Sequence, residues 1–252
     1  MTHRIEFILL AAALASGSAH AALQGRDLNG SPDTFEAYYD TELGATWLAD
    51  TWSAGLMDWA TANAWAANLS FYNPITDQTY DNWRLPTVKP VNGESFIYSF
   101  SHVGTTDHGY NVSEQGTAFA GSTGSEMAHL FYNTLNNKGF CDPVLSTVEH
   151  CWGPQADWGL SNRGPFGGLQ PDLYWSATEQ APETAYAWTF SFDVGHQSGA
   201  TKGYGFRALA VHPGDVAAIP EPQTYALMLA GLALIGWRAL SGHQARARQA
   251  TP

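Results

Sequence analysis

The chain has 252 residues, a formal charge of −12 with only 13% charged side chains, and two cysteines. That acidity disfavours nucleic acid and anionic polysaccharide as simple electrostatic partners, and favours solubility, neutral glycans or a bridging divalent cation. Sparse charge alongside abundant Gly, Asn, Ser, Thr, Trp and Tyr is a mix common in extracellular binding domains with long, hydrogen-bonded loops.

Residues 1–21 read as a secretory signal: Arg4 precedes an apolar run from Ile5 to Leu10, broken by Glu6, and an alanine-rich stretch closes on Ala19-His20-Ala21. Ala22 offers a neighbouring cleavage point. Residues 23–216 then form one stretch, long enough for a single domain with a sizeable core. Without signal and tail it holds 7 basic residues against 21 acidic ones, a net charge near −14.

Within this stretch, residues 35–50 predict two short strands about a turn at Glu42 to Ala45. Met57 to Leu69 predicts a helix, with Trp59, Ala62, Ala66 and Leu69 on one apolar face. Asn73-Pro74 and Asp77 to Asn82 break regular structure before Trp83-Arg84-Leu85-Pro86-Thr87. Residues 89–124 predict a long loop region with one strand near Phe96 to Phe100. Ser125 caps a second helix, whose inner side carries Met127, Leu130, Phe131, Thr134 and Leu135. Cys141 and Cys151, with nine residues between them on the exported side, read as a disulfide. Tyr174 to Thr178 predicts a strand. Tyr186, Trp188, Phe190 and Phe192 alternate with smaller residues, which puts four aromatics on one face. Asp193-Val194-Gly195 is a turn, and Phe206 to His212 is the closing strand. Two early helices and a late antiparallel sheet make an α+β domain.

The tail combines three features. Residues 217–223 contain Pro220-Glu221-Pro222, which resists regular structure because each proline fixes its own φ and removes a donor. Residues 224–240 form an apolar run that would extend about 25 Å as a helix, against a hydrocarbon core of about 30 Å. Arg238, Arg246 and Arg248, with no acidic residue in the final segment 241–252, mark a cytoplasmic end. Together these resemble the PEP-CTERM sorting signal of Gram-negative bacteria that make exopolysaccharide, although here the arginines are spread over eleven positions. The resemblance implies signal peptidase and secretion machinery as early partners, then an exosortase that cuts near the triplet. The exported chain would be held in the inner membrane by its C-terminal helix and afterwards reach the cell surface or matrix.

Glu36-Ala-Tyr-Tyr-Asp, Thr46-Trp-Leu-Ala-Asp50, Trp83-Arg-Leu-Pro-Thr87, His129-Leu-Phe-Tyr132 and Tyr174-Trp-Ser-Ala-Thr178 occur in this order, followed by the Trp188 strand. The exported part thereby resembles the domain of unknown function 1566 family, also called Lcl C-terminal-like. Membership implies a C-type-lectin-like fold related to that of the formylglycine-generating enzyme. Val88-Lys89 and Ala210-Val211-His212 depart from residues common in the family. Trp83, Arg84, Pro86, Trp175 and Trp188 read as structural, with Arg84 tying loop carbonyls together or pairing with a carboxylate. The four-aromatic face either fills the core or stacks sugar rings.

No catalytic constellation is visible. A formylglycine-type oxidase needs a reactive cysteine, which a short-loop disulfide does not supply. Glu126-x-x-His129 is half of a metal pattern and reads as a capped helix with a surface histidine. Asp27, Asn29 and Asp33 surround Gly30 without EF-hand spacing, so calcium has no matching motif and no cofactor is expected. His102, His108, His150 and His196 show no ligand spacing. The functional expectation is a non-catalytic envelope or biofilm-matrix module that binds exopolysaccharide or another glycan through loops 101–124 and 152–170, with Trp152, Trp158 and Asn162 as contacts. The alternatives are a purely structural matrix component and, more remotely, an enzyme on the same scaffold.

Overall fold

A computed structural model describes residues 23–31, 33–51 and 54–216. The expected signal, linker, membrane helix and basic tail lie outside these residues. Among the described residues no helix is long and apolar enough to cross a membrane.

The first sheet begins with β1 (Leu23–Arg26), β2 (Ala37–Asp40) and β3 (Ala45–Leu48), and its far edge is the late strand β11 (Val211–Pro213). All its pairings are antiparallel, in the order β1-β2-β3-β11. Asp40 makes the β2–β3 hairpin, because its Oδ1 accepts from the backbone N–H groups of Glu42 and Leu43, both at 3.1 Å. Its other oxygen takes the Thr134 hydroxyl at 2.6 Å, which ties the hairpin to the second helix.

Helix α1 (Trp59–Ala67) starts where Asp58 accepts from the Thr61 N–H, and it buries Ala62 and Ala66. The Trp59 indole donates to the Ser176 carbonyl at 2.8 Å and thereby docks the helix on the second sheet. A hairpin, β4 (Phe71–Asn73) and β5 (Gln78–Tyr80), follows. Helix α2 (Glu126–His129) is one turn, capped by Ser125, and widens into a π-turn over Leu130–Thr134 that ends in a Leu135 N–H to Leu130 C=O bond of 2.9 Å.

The second sheet has the order β6-β7-β10-β9-β8, with β6 (Phe100–Ser101), β7 (His108–Tyr110), β8 (Leu173–Glu179), β9 (Tyr186–Ser191) and β10 (His196–Thr201). Only β6–β7 is parallel. The domain is α+β, as its periodicities indicate, with predominantly antiparallel sheets and two short helices. The main core gathers Trp47, Met127, Leu130, Phe131, Tyr132, Tyr174, Phe190, Phe192 and Leu209 between the α2 segment and the sheets.

Of the two readings of the alternating aromatic face, the core one holds for Trp188, Phe190 and Phe192, which are fully buried, while Tyr186 at its start is 36% exposed. Other expectations are corrected. His129 is 1% exposed, not a surface residue, because a helix of one turn packs on both sides. Its Nε2 lies 3.2 Å from Glu42, and its Nδ1 lies 3.3 Å from the Ser122 carbonyl. The segment Phe206 to His212 forms a ladder only at its end, against β3, because Phe206 and Arg207 make isolated bridges to Met57 and Tyr174. Near residue 96 only Phe100 and Ser101 pair as a strand, while Phe96 and Tyr98 stack on Trp188.

Arg84 takes the structural role expected of it. Its Nη1 and Nη2 each reach a Glu126 oxygen at 2.7 Å, and Nη1 also donates to the Leu85 carbonyl at 3.0 Å. Trp83 donates to the Tyr80 carbonyl, Trp175 donates to the Met57 carbonyl, and the Pro86 carbonyl accepts from Ala177. Cys141 and Cys151 form the disulfide, with Cα atoms 5.2 Å apart.

Candidate functional site

The short strands β6, β7 and β10 build one distinctive face. Phe100 pairs with His108 across β6–β7, and Tyr110 pairs with His196 across β7–β10, so strand pleating puts all four rings on the same side. Phe100 lies 5.2 Å from His108 and 5.5 Å from His196 between ring centroids, and Tyr110 lies 4.8 Å from His196. His102 joins them, 4.8 Å from Phe100 and stacked on Tyr110 at 5.9 Å.

The rings continue past the sheet. Tyr110 meets Phe140 at 6.4 Å, and Phe140 meets Trp158 edge-on at 4.9 Å. On the other side His108 touches Trp188, which Tyr98 covers in a nearly parallel stack. Phe100 is 40% exposed and Trp158 39% exposed, so the band is open to solvent at its middle and at one end.

The strands can approach this closely because of Gly109. At φ +133° a Cβ there would stand 1.9 Å from the Ser101 carbonyl oxygen, so any side chain would force β6 off β7. On the inner side Gln197, opposite Gly109, donates to the Asp107 carbonyl at 2.7 Å and accepts from Ser125. Asp107 in turn holds the N–H groups of Val91 and Ile97 at 2.8 and 2.7 Å, and burial pushes its carboxyl up from the usual range. A loop without periodicity is thereby organised by a single carboxylate.

Burial, aided by the nearby His108 and His102, pushes His196 down to about 4, so this imidazole is neutral across the physiological range. The Nδ1 atoms of His102 and His108 lie 3.0 and 3.2 Å from the carbonyls of Val148 and Tyr98. A carbonyl only accepts, so in its neutral form each ring carries its proton on Nδ1 and keeps Nε2 as an acceptor. The face therefore combines apolar ring surfaces with hydrogen-bonding edges.

Beneath it, Asn111 donates from Nδ2 to the carbonyls of His102 and Cys141 at 2.7 and 2.8 Å. Gln155 reaches the Cys141 carbonyl and the Glu114 carboxylate, and burial pushes Glu114 up to about 7. These contacts join the loop after β7 to the disulfide segment and fix the rim of the site.

The two loops expected to carry contacts are thus brought together, and Trp158 lies at the end of the ring band. Trp152 is apart from it, 66% exposed on the disulfide segment and stacked on His150. Asn162 is occupied by the fold: its Nδ2 donates to the Leu135 carbonyl at 2.8 Å and its Oδ1 accepts from Gly164 at 2.9 Å. Phe100, His102, His108, Tyr110 and His196 were missed because they have no ligand spacing. The usable signal was the i, i+2 repeat of rings in Phe100-x-His102 and His108-x-Tyr110.

Among the described residues, no group of three or more His, Cys, Asp or Glu side chains is placed to hold a metal ion. Asp27 Oδ1 accepts from the N–H groups of Asn29 and Gly30, so that oxygen serves the turn. No protein-family model, no curated protein and no solved structure matches this chain.

Proposed function

We propose that this is an exported, non-catalytic display module with a C-type-lectin-like fold, which binds a neutral glycan on the face formed by Phe100, His102, His108, Tyr110, His196 and Trp158. The observation that carries this reading is the continuous ring band, partly open to solvent and holding a neutral His196. Pyranose rings present C–H faces and equatorial hydroxyls. Aromatic faces stack on the first and imidazole acceptors bond the second. Export rests on the signal at residues 1–21 and on Pro220-Glu221-Pro222, the apolar run and the terminal arginines, which support sorting by an exosortase to the surface or exopolysaccharide matrix. A glycan array with the 23–216 domain, with and without EDTA, tests the reading: neutral polysaccharides should bind in both conditions.

A purely structural matrix role is favoured by one separate feature. Val144, Leu145 and Val148 on the disulfide segment are exposed aliphatic side chains, which suit packing against protein better than against sugar. Silence across neutral and acidic glycans would move the assignment to that role.

A further inference from the structure

The turn at residues 27–31 is not used by the proposed binding face. It contains the first of three Asn-x-Ser triplets in the chain: Asn29-Gly30-Ser31, Asn68-Leu69-Ser70 and Asn111-Val112-Ser113. Such triplets are acceptors for N-linked glycans where they are accessible on an exported surface. The fold treats the three very differently.

Asn111 is fully buried, both of its amide donors are engaged by the carbonyls of His102 and Cys141, and Ser113 is buried with it. No enzyme can reach it in the folded domain. Asn68 caps the end of α1, where its Nδ2 donates to the Ala64 carbonyl at 2.8 Å. Using that nitrogen would cost the cap.

Asn29 is exposed, and among the described residues its Nδ2 has no hydrogen-bond partner. Its Oδ1 accepts from the Ser31 N–H at 2.8 Å, which polarises the carboxamide and makes its nitrogen easier to deprotonate. The turn is also held rigidly. Leu28 is fully buried and donates its N–H to Glu36 at 3.0 Å, while Asn73 Nδ2 reaches the Asp27 carbonyl at 3.2 Å. Gly30 sits at φ +80° with Ile75 and Asn73 close by, a conformation and a space that suit glycine at the middle position.

We infer that Asn29 is a glycan acceptor. In the reaction the Asn29 Nδ2 forms a bond to the anomeric carbon of a polyprenyl-pyrophosphate-linked oligosaccharide. The bond from that carbon to the pyrophosphate oxygen breaks, the polyprenyl pyrophosphate leaves, and Nδ2 gives up one proton. The donor and the transferase are supplied by the extracytoplasmic face of the membrane, so the inference rests on the export reading. It does not depend on what the ring face binds.

Mass spectrometry of the native protein from its own envelope or medium tests it, after digestion before aspartate to release the peptide of residues 27–32. That peptide should carry at least one hexose or N-acetylhexosamine. The addition should vanish in N29Q and in S31A and persist in N68Q. An unmodified peptide in protein whose N-terminus lies at residue 22 or 23 overturns the inference while leaving export intact. Unmodified protein that retains Met1 to Ala21 overturns both, and the uncut signal identifies export as the cause.

Discussion

Arg84 and Glu126, 42 residues apart in sequence, meet through two parallel N–H to oxygen bonds of 2.7 Å, and the same carboxylate takes the Thr87 N–H at 2.6 Å. This pair joins the Trp-Arg-Leu-Pro-Thr turn to the first turn of α2, so the helix that carries the core residues Met127, Leu130 and Phe131 is positioned from outside itself. The arginine is a third exposed and the glutamate more deeply buried, which reduces the worth of the pair below that of a buried one.

E126Q keeps the shape of the side chain but removes the charge from both the arginine and the Thr87 contact. A loss of about 1–2 kcal/mol in unfolding free energy is expected, read as a lower urea midpoint at unchanged slope. R84K should lose nearly as much, since an ammonium cannot make the paired contact.

Reduction of Cys141–Cys151 frees a loop whose first cysteine is fully buried and whose carbonyl is held by Asn111 and Gln155. Loop-closure reasoning gives about 2–3 kcal/mol of destabilisation. Thermal unfolding with and without reductant measures it, and the C141S/C151S double variant should match the reduced protein.

Glu114 contributes a pH dependence whose sign follows from its raised value. Its carboxyl is held near 7 in the fold against 4.5 normally, so the folded state binds more protons within that window, and stability falls as pH rises from about 4.5 to 7. The span corresponds to roughly 3 kcal/mol at full effect. His196 acts in the opposite sense, because its lowered value costs stability as pH falls from 6.5 towards 4. The two nearly cancel in the wild type, so the informative quantity is the difference from E114Q. Relative to wild type, E114Q should gain stability steadily from pH 4.5 to 7 and no further above it.

Arg26 grips Asp215 through Nε and Nη2 at 2.6 and 2.7 Å, which fastens the first strand to the last described residues before Val216. A cut in the Pro220 to Pro222 spacer therefore leaves the clasp untouched. Native protein in the surface or secreted fraction should end near Pro220 to Pro222 and unfold at the same midpoint as the 23–216 domain. Intact Pro252 confined to the inner membrane would indicate a plain anchor.

Elements with strong local period were legible in the sequence. The apolar face from Trp59 to Leu69 located α1 to within two residues, and the alternation from Tyr186 to Phe192 located β9. The carboxylate partner of Arg84 was foreseen by type, though not as Glu126. What failed had at most a two-ring local signature. Strands β6 and β7 have two and three residues, too few for a period to register, and their loop is shaped by Asp107 and Gly109 through contacts distant in sequence. The ring face went unrecognised for that reason: Phe100, His108, Tyr110 and His196 come from three strands and His102 and Trp158 from loops, and only the fold makes them neighbours. His129 was misplaced because helical periodicity assumes one solvent side, which a single buried turn does not have.

The most direct test of the proposed function is the affinity of the 23–216 domain for a neutral polysaccharide, measured by titration calorimetry for wild type, F100A and W158A. Each ring is partly exposed and lies on the same band, so each truncation should weaken binding about tenfold, equivalent to about 1.4 kcal/mol, with the unfolding midpoint little changed. Undiminished affinity in both variants would contradict glycan binding at this face.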